Sequence, residues 1–113
     1  MKVSEAQTQR LILDWLAAKG ILAFRQNTGA VRSSYKGKER FMRFGVPGMA
    51  DIQAFPKIAI ARDMHPVLTP TWIEVKAPKG KQSDLQKSFQ ELVEAHGHKY
   101  IVAYSLEDVE KAL

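Results

Sequence analysis

The 113 residues contain no cysteine. Disulfide staples and thiolate metal sites are therefore excluded, and a reducing cytoplasm suits the chain. No run approaches the ~20 consecutive apolar residues that a membrane-spanning helix needs. Met1-Lys2-Val3-Ser4-Glu5 lacks the apolar stretch of a signal peptide. The expectation is a soluble cytoplasmic protein with no membrane partner. Internal repeats and low-complexity linkers are missing too, and the length suits a single domain over 1–113 with one modest core. Histidine is sparse. His96 and His98 flank Gly97 at an expected helix end, where complementing the helix dipole is the plainer role and metal binding the sharper one. His65 lies in a proline-containing connection and points to nothing.

Hydrophobic residues make up 45% of the chain and charged residues 26%, an ordinary globular balance rather than that of a disordered chain. The formal charge of +5 suits a polyanionic partner without proving one. Its distribution says more. Arg25, Arg32, Lys36, Lys38, Arg40 and Arg43 are opposed in their segment only by Glu39, while Glu91, Glu94, Glu107, Asp108 and Glu110 gather late. A phosphate-binding surface requires positive charge concentrated in this way.

Ser4 with Gln7 three residues on is a capping box, which predicts a helix over 5–19 with Leu11, Ile12, Trp15 and Leu16 as its buried stripe and Gly20 as its end. A strand is expected over 21–26, with Leu22 and Phe24 on one face, followed by a turn at Asn27-Thr28-Gly29. Residues 30–40 read as a mobile loop or an irregular hairpin arm, and 41–44 as a short strand broken by Gly45-Val46-Pro47-Gly48. A strand over 51–60, interrupted near Pro56, leads through a connection over 62–70 to the strongest strand, over 71–76. A basic loop over 77–82 precedes a second helix, capped by the Ser83–Gln86 box, striped by Leu85, Phe89, Leu92 and Val93, and ended by Gly97. A strand over 99–104 and a short helix capped by Ser105, with Leu106, Val109 and Leu113 inward, close the chain. The strand–helix–strand unit over 71–104 should pair its strands in parallel. The expected fold class is α/β, a small mixed sheet flanked by helices.

The chemistry-bearing residues sit on that strongest strand. Alternation sets Glu74 and Lys76 on one face and Ile73 and Val75 on the other. Charged groups in the middle of a good strand are costly to bury without compensation. One reading is an edge strand with a solvated face. The other involves Asp51. Folding the two strands into a hairpin about Arg62 and Asp63 brings Asp51 beside Glu74. Two adjacent carboxylates repel unless a proton or cation lies between them, and a hard divalent ion with oxygen ligands is the natural solution. Lys76, one pleat along, can orient an attacking water or offset charge on a phosphate.

Gly45-Val46-Pro47-Gly48-Met49-Ala50-Asp51 followed by Ile73-Glu74-Val75-Lys76 resembles the signature of the PD-(D/E)XK nucleases, and more narrowly of their VRR-NUC branch. Ser4-Glu5-Ala6-Gln7, Phe24-Arg25-Gln26-Asn27-Thr28-Gly29 and Ser83-Asp84-Leu85-Gln86-Lys87 match that pattern in order, so the resemblance spans nearly the whole chain. Met49-Ala50 stands where the superfamily name suggests proline, which is displaced to Pro47, as is usual in this branch.

The resemblance implies a restriction-endonuclease-like core and a Mg²⁺- or Mn²⁺-dependent DNA endonuclease. It implies metal binding by Asp51, Glu74 and the Val75 carbonyl, assisted by Glu5, and water activation by Lys76. Gln86 would pack against the site. The plainer roles are favourable charge at a helix start for Glu5 and the capping box for Gln86. Arg25 and Arg43 are expected to contact phosphate. Arg32, Lys36, Lys38 and Arg40 would form a DNA arm in which Tyr35 stacks on a base or sugar, and Lys79, Lys81 and Lys87 would extend the positive surface. Stand-alone members of the branch include homodimers that cut Holliday junctions, so a homodimer acting on branched DNA is implied by analogy, as is a bacterial or phage source. A non-catalytic DNA-binding module that keeps the fold, and a small adaptor whose basic face binds an acidic protein, are the competing readings.

Overall fold

The computed structural model describes residues 4–26, 29–35, 38–44, 48–58 and 67–113, with 29–35, 38–44, 58 and 67 described as backbone. Helix α1 (Glu5–Ala18) opens with the expected capping box: the Gln7 N–H donates to Ser4 Oγ at 3.1 Å and the Ser4 N–H to Gln7 Oε1 at 2.8 Å. Gly20 ends it with φ +72°. Strand β1 (Leu22–Arg25) follows, then β2 (Gly29–Tyr35) and β3 (Lys38–Phe44), β4 (Ile52–Phe55), β5 (Lys57–Ile58), β6 (Val67–Leu68) and β7 (Thr71–Val75). Helix α2 (Asp84–Ala95), strand β8 (Lys99–Ala103) and helix α3 (Leu106–Ala112) complete the order. Among the described residues no helix is long and apolar enough to cross a membrane.

The fold is α/β. Its central layer is a four-stranded mixed sheet in the order β1-β4-β7-β8, with β7 and β8 parallel and the other neighbours antiparallel. Inward side chains of the two helices on one face meet the odd-numbered residues of β7. Ile12, Leu16, Ile52, Ala54, Ile73, Val75, Ile101, Ala103 and Val109 make this main core. On the opposite face α2 packs Phe89 and Val93 against Trp72 and Ala50, with Met49 and Tyr100 alongside. Phe89 meets the Trp72 ring edge-on at a centroid distance of 5.0 Å.

Several expectations are corrected. Strand β7 is not an edge: it lies between β4 and β8, and every residue of it is buried. The solvated-face reading of Glu74 is therefore excluded. On α1 the buried ridge is Thr8, Ile12 and Leu16, with the expected Trp15 packed partly buried against the same core, whereas Leu11 turns outward. On α2 only Phe89 and Val93 are buried, whereas Leu85 and Leu92, seven apart, are exposed. Leu22 and Phe24 do share a face of β1, but it is the exposed one, and Ala23 packs on the core. Tyr104 falls just outside β8. Ser105 makes no side-chain cap, and Asp108 Oδ2 instead accepts the Tyr104 N–H at 2.8 Å.

The segment over 30–40, expected as a mobile loop or an irregular hairpin arm, belongs to a regular antiparallel ladder from Gly29↔Phe44 to Tyr35↔Lys38, so the hairpin alternative holds and its irregularity does not. Val31, Tyr35, Phe41 and Phe44 are strand formers, and their propensity outweighs the charge that suggested a loop. Part of the 62–70 connection is also strand, since β6 pairs with β5. The expected turns at residues 27–28, 45–47 and 62–63, and His65, lie outside the described residues.

Candidate functional site

The register of β4 on β7 runs Ile52↔Ile73, Gln53↔Trp72, Ala54↔Thr71. Continued by one residue, it sets Asp51 opposite Glu74, the alignment expected from a hairpin about residues 62 and 63. Asp51 occupies the bend before β4. Its carbonyl accepts the Gln26 N–H at 2.7 Å, which anchors it to the end of β1. Its carboxylate Oδ2 accepts the Val75 N–H at 2.7 Å. Thus Asp51 spans from the β1 side to the end of β7.

Gly48 makes this bend possible. Its φ is +83°, and a Cβ there would lie 2.4 Å from the Leu85 carbonyl oxygen. Only a residue without a side chain lets the chain before Asp51 pass so close to the first turn of α2.

Glu74 has 0% exposure. Tyr100, the β8 residue paired with Trp72, donates its hydroxyl to Glu74 Oε1 at 2.5 Å. Gln82 donates to the same oxygen at 3.3 Å and to Gln90 Oε1 at 2.8 Å. Gln90 in turn donates to Glu94 Oε1 at 2.6 Å. Glu74 Oε2 is buried with no hydrogen-bond partner among the described residues, and Lys76 Nζ stands 3.9 Å from it. Lys76 Nζ donates to Gln86 Oε1 at 2.7 Å, and the same oxygen accepts the Ser83 N–H at 2.9 Å. Gln86 is therefore both the α2 cap and the support of Lys76, so its two candidate roles coincide.

Burial raises the Asp51 pKa above the ordinary carboxylate range. The Val75 N–H opposes this rise, the charges of Glu5 and Glu74 reinforce it, and Lys76 opposes it. Burial, and then the hydrogen bond to Glu74, push the Tyr100 phenol well above its usual range, so it remains a donor at all working pH values.

The structure thus brings together Asp51, Glu74, Val75, Lys76 and Gln86. Glu5 lies at the exposed start of α1, near enough for its charge to act on Asp51. The N–H of Val75 is engaged by Asp51, whereas the resemblance concerned its carbonyl. Lys79 and Lys81 are exposed in the loop before α2, where Lys79 takes φ +65° and Tyr104 donates its hydroxyl to the Gly80 carbonyl at 3.0 Å. Arg25 is exposed on β1 and lines a cleft of about 450 Å³ with Ala6, Gln7, Gln9, Arg10 and Leu13. Arg32, Lys38, Arg40 and Arg43 belong to the β2–β3 ladder and are described as backbone, as is Tyr35, and Lys36 lies outside the described residues.

His96 and His98 both make local contacts around α2 and β7. His96 Nδ1 lies 2.8 Å from the Leu92 carbonyl at the end of α2, and His98 Nδ1 accepts the Trp72 indole N–H at 3.1 Å. Tyr100, Gln82 and Arg10 escaped sequence reasoning. Alternation sets Tyr100 on the Glu74 face, but one tyrosine in a strand gives no cue to its partner, and Gln82 and Arg10 match no pattern.

Among the described residues no three His, Cys, Asp or Glu side chains converge on one point. The donor set still fits Mg²⁺ or Mn²⁺, because such ions commonly use one or two carboxylates and keep several waters. The observation that favours a cation there is the buried Oε2 of Glu74, which accepts no hydrogen bond among the described residues and has only the Lys76 ammonium, an ion pair at 3.9 Å, beside it. No protein-family model, curated protein or solved structure matches the chain.

Proposed function

We propose that the protein is a metal-dependent DNA endonuclease with a restriction-endonuclease-like core of the VRR-NUC kind, hydrolysing phosphodiester bonds with Mg²⁺ or Mn²⁺. One observation carries the reading: Asp51, the buried Glu74 with its unpaired Oε2, and the Gln86-held Lys76 meet at the junction of β4, β7 and α2. Asp51 and Glu74 would hold the ion, with Glu5 adding negative charge from α1. When bound, the ion lowers the pKa of a water and draws charge from the phosphoryl oxygens. Gln86 aims the Lys76 ammonium at the water or the phosphate. Arg25 and Arg10 hold a flanking phosphate, and the basic β2–β3 hairpin reaches further along the DNA. Branched substrates and a homodimer remain part of the proposal by resemblance.

A second reading is a DNA-binding module without activity, in which the Lys76 ammonium, 3.9 Å from Oε2, is the only partner that this oxygen of the buried Glu74 carboxylate needs. One experiment separates the two. Labelled duplex, flap, fork and four-way-junction DNAs are incubated with the protein in Mg²⁺, Mn²⁺ or Ca²⁺. The nuclease reading expects cutting in Mg²⁺ or Mn²⁺, abolished by Glu74→Gln, and binding with little cutting in Ca²⁺. Binding without cleavage under every condition supports the module, and undiminished cleavage in excess chelator sinks the metal mechanism.

A further inference from the structure

We propose that Tyr100 and Gln82 are positioning residues for Glu74, pinning Oε1 so that Oε2 alone is presented to a divalent cation. The inference rests on the metal-dependent reading above and deepens it. Both donors converge on one oxygen: the Tyr100 hydroxyl at 2.5 Å and the Gln82 amide at 3.3 Å. The other oxygen is equally buried and has no hydrogen-bond partner among the described residues, with the Lys76 ammonium no closer than 3.9 Å.

A carboxylate buried only to brace the fold would have donors on both sides, because each unpaired buried oxygen carries a desolvation cost. Here both hydrogen-bond donors fall on Oε1, and Oε2 has only the Lys76 ammonium at 3.9 Å beside it among the described residues. Such asymmetry suits a ligand that is itself a positive centre.

The supports are themselves held. The Tyr100 ring packs edge-on against Phe89 at 6.4 Å, and Phe89 packs against Trp72. Gln82 is fixed from behind by Gln90, which donates to Glu94. Carboxylate orientation is thus tied to α2 through a line of hydrogen bonds that ends at the surface. Partners of this kind, which orient a ligand without touching the metal, are commonly worth 10–100-fold in metal affinity.

The test is Mn²⁺ binding to the full chain without DNA, followed by calorimetry and by the spin-resonance signal of free Mn²⁺. Thermal unfolding in chelator is recorded alongside. Tyr100→Phe keeps the ring and deletes only the hydroxyl. It should weaken Mn²⁺ binding about tenfold. The Mn²⁺ concentration for half-maximal cleavage should rise in step, with the rate at saturating Mn²⁺ nearly unchanged. Gln82→Ala, in a loop outside both apolar clusters, should weaken binding several-fold and decides the matter if Tyr100→Phe does not fold. A lowered melting temperature with unchanged Mn²⁺ affinity would mean mere bracing and overturns the proposal. If the wild-type chain binds no Mn²⁺, or Glu74→Gln binds it equally well, the nuclease reading falls and this one with it. If Glu74 is required but neither variant weakens binding, only the positioning role falls.

Discussion

Asp51 is half-buried and feels the charges of Glu5 and Glu74, and burial above all sets its behaviour without metal. Its raised folded pKa means that the native state resists ionisation more than the unfolded chain does. At neutral pH the ionised form therefore costs stability. That cost declines as pH falls through the raised folded value, and it is absent below the ordinary value of 3.8, where both states are protonated. In chelator, Asp51→Asn should accordingly melt higher than wild type at pH 7, with the gap closing toward pH 4. Excess Mn²⁺ should reverse the order, since a ligand at a hundredfold its Kd stabilises by about 2.7 kcal/mol and the variant has lost a ligand. Thermal melts across pH, with and without Mn²⁺, check both halves. Lys76 poses a different question, because its ammonium is tied to Gln86 and not to the core. Lys76→Ala should fold, bind Mn²⁺ and DNA, and cleave on the order of 10²-fold or more slowly in single-turnover assays. Cleavage at the wild-type rate would remove Lys76 from the site.

Helix α2 and the bend at Gly48 act as one part, because the bend backbone presses on the first turn of the helix. Gly48→Ala meets both an unfavourable φ and a backbone clash, and should cost about 1–3 kcal/mol in denaturant unfolding. It should also slow cleavage, since displacing that turn moves Gln86 away from Lys76. Along the same helix Phe89→Ala should cost about 3–5 kcal/mol, whereas Leu92→Ala should stay within about 0.5 kcal/mol. The reverse ranking would mean that the exposed seam of α2 is covered in solution.

That contrast marks where sequence was legible. Capping boxes are local chemistry, so Ser4–Gln7 and Ser83–Gln86 were readable, as was the parallel pairing of the strands around α2. The Asp51–Glu74 juxtaposition was readable because strand register propagates by whole residues, and Asp51 immediately precedes β4, the antiparallel neighbour of the strand that carries Glu74. Which leucine of an amphipathic stripe is covered depends on the shape of the opposing surface. On the α2 side that surface is narrow, built around Trp72 and Tyr100, so Leu85 and Leu92 overhang it. The hairpin was legible at residues 30–40 only as one of two alternatives and the strand only over 41–44, because charge density masks the strand propensity of the rest of the β2–β3 ladder. The bonds from Tyr100 and Gln82 to Glu74 are side-chain contacts across elements, which no local pattern encodes.

At the scale of the whole molecule the question is how positive charge is laid out around the carboxylates. The radius of gyration of 16.6 Å exceeds the roughly 13 Å of a compact chain of this length, and the β2–β3 ladder is a sheet separate from the central one. On the proposed nuclease reading there are two sources of cationic contact: the Arg10–Arg25 cleft between α1 and β1, and the basic residues in the sequence of the β2–β3 segment. They should differ in kind. Arg25 pairs with Ile52, next to Asp51, so the cleft is coupled to the carboxylates through the backbone ladder. Lys38 pairs with Tyr35 at the opposite end of the β2–β3 ladder from the Gly29–Phe44 pair, and Lys36, two residues before it in sequence, lies outside the described residues. If each side chain neutralises one phosphate of a duplex, removing either pair should reduce the log–log salt slope of binding by about 1.8, at about 0.9 per contact. Binding alone therefore does not distinguish the pairs. The rate at saturating enzyme does, because only a contact that places the scissile phosphate affects the chemical step. Arg10→Ala with Arg25→Ala should lower the single-turnover rate about tenfold or more even at saturation. Lys36→Ala with Lys38→Ala should restore the wild-type rate once enough protein is added. Salt titrations and single-turnover time courses on one duplex, at matched ionic strength, measure both quantities. A saturated rate that falls for the hairpin pair and holds for the cleft pair would move the scissile phosphate from the β1 edge to the hairpin.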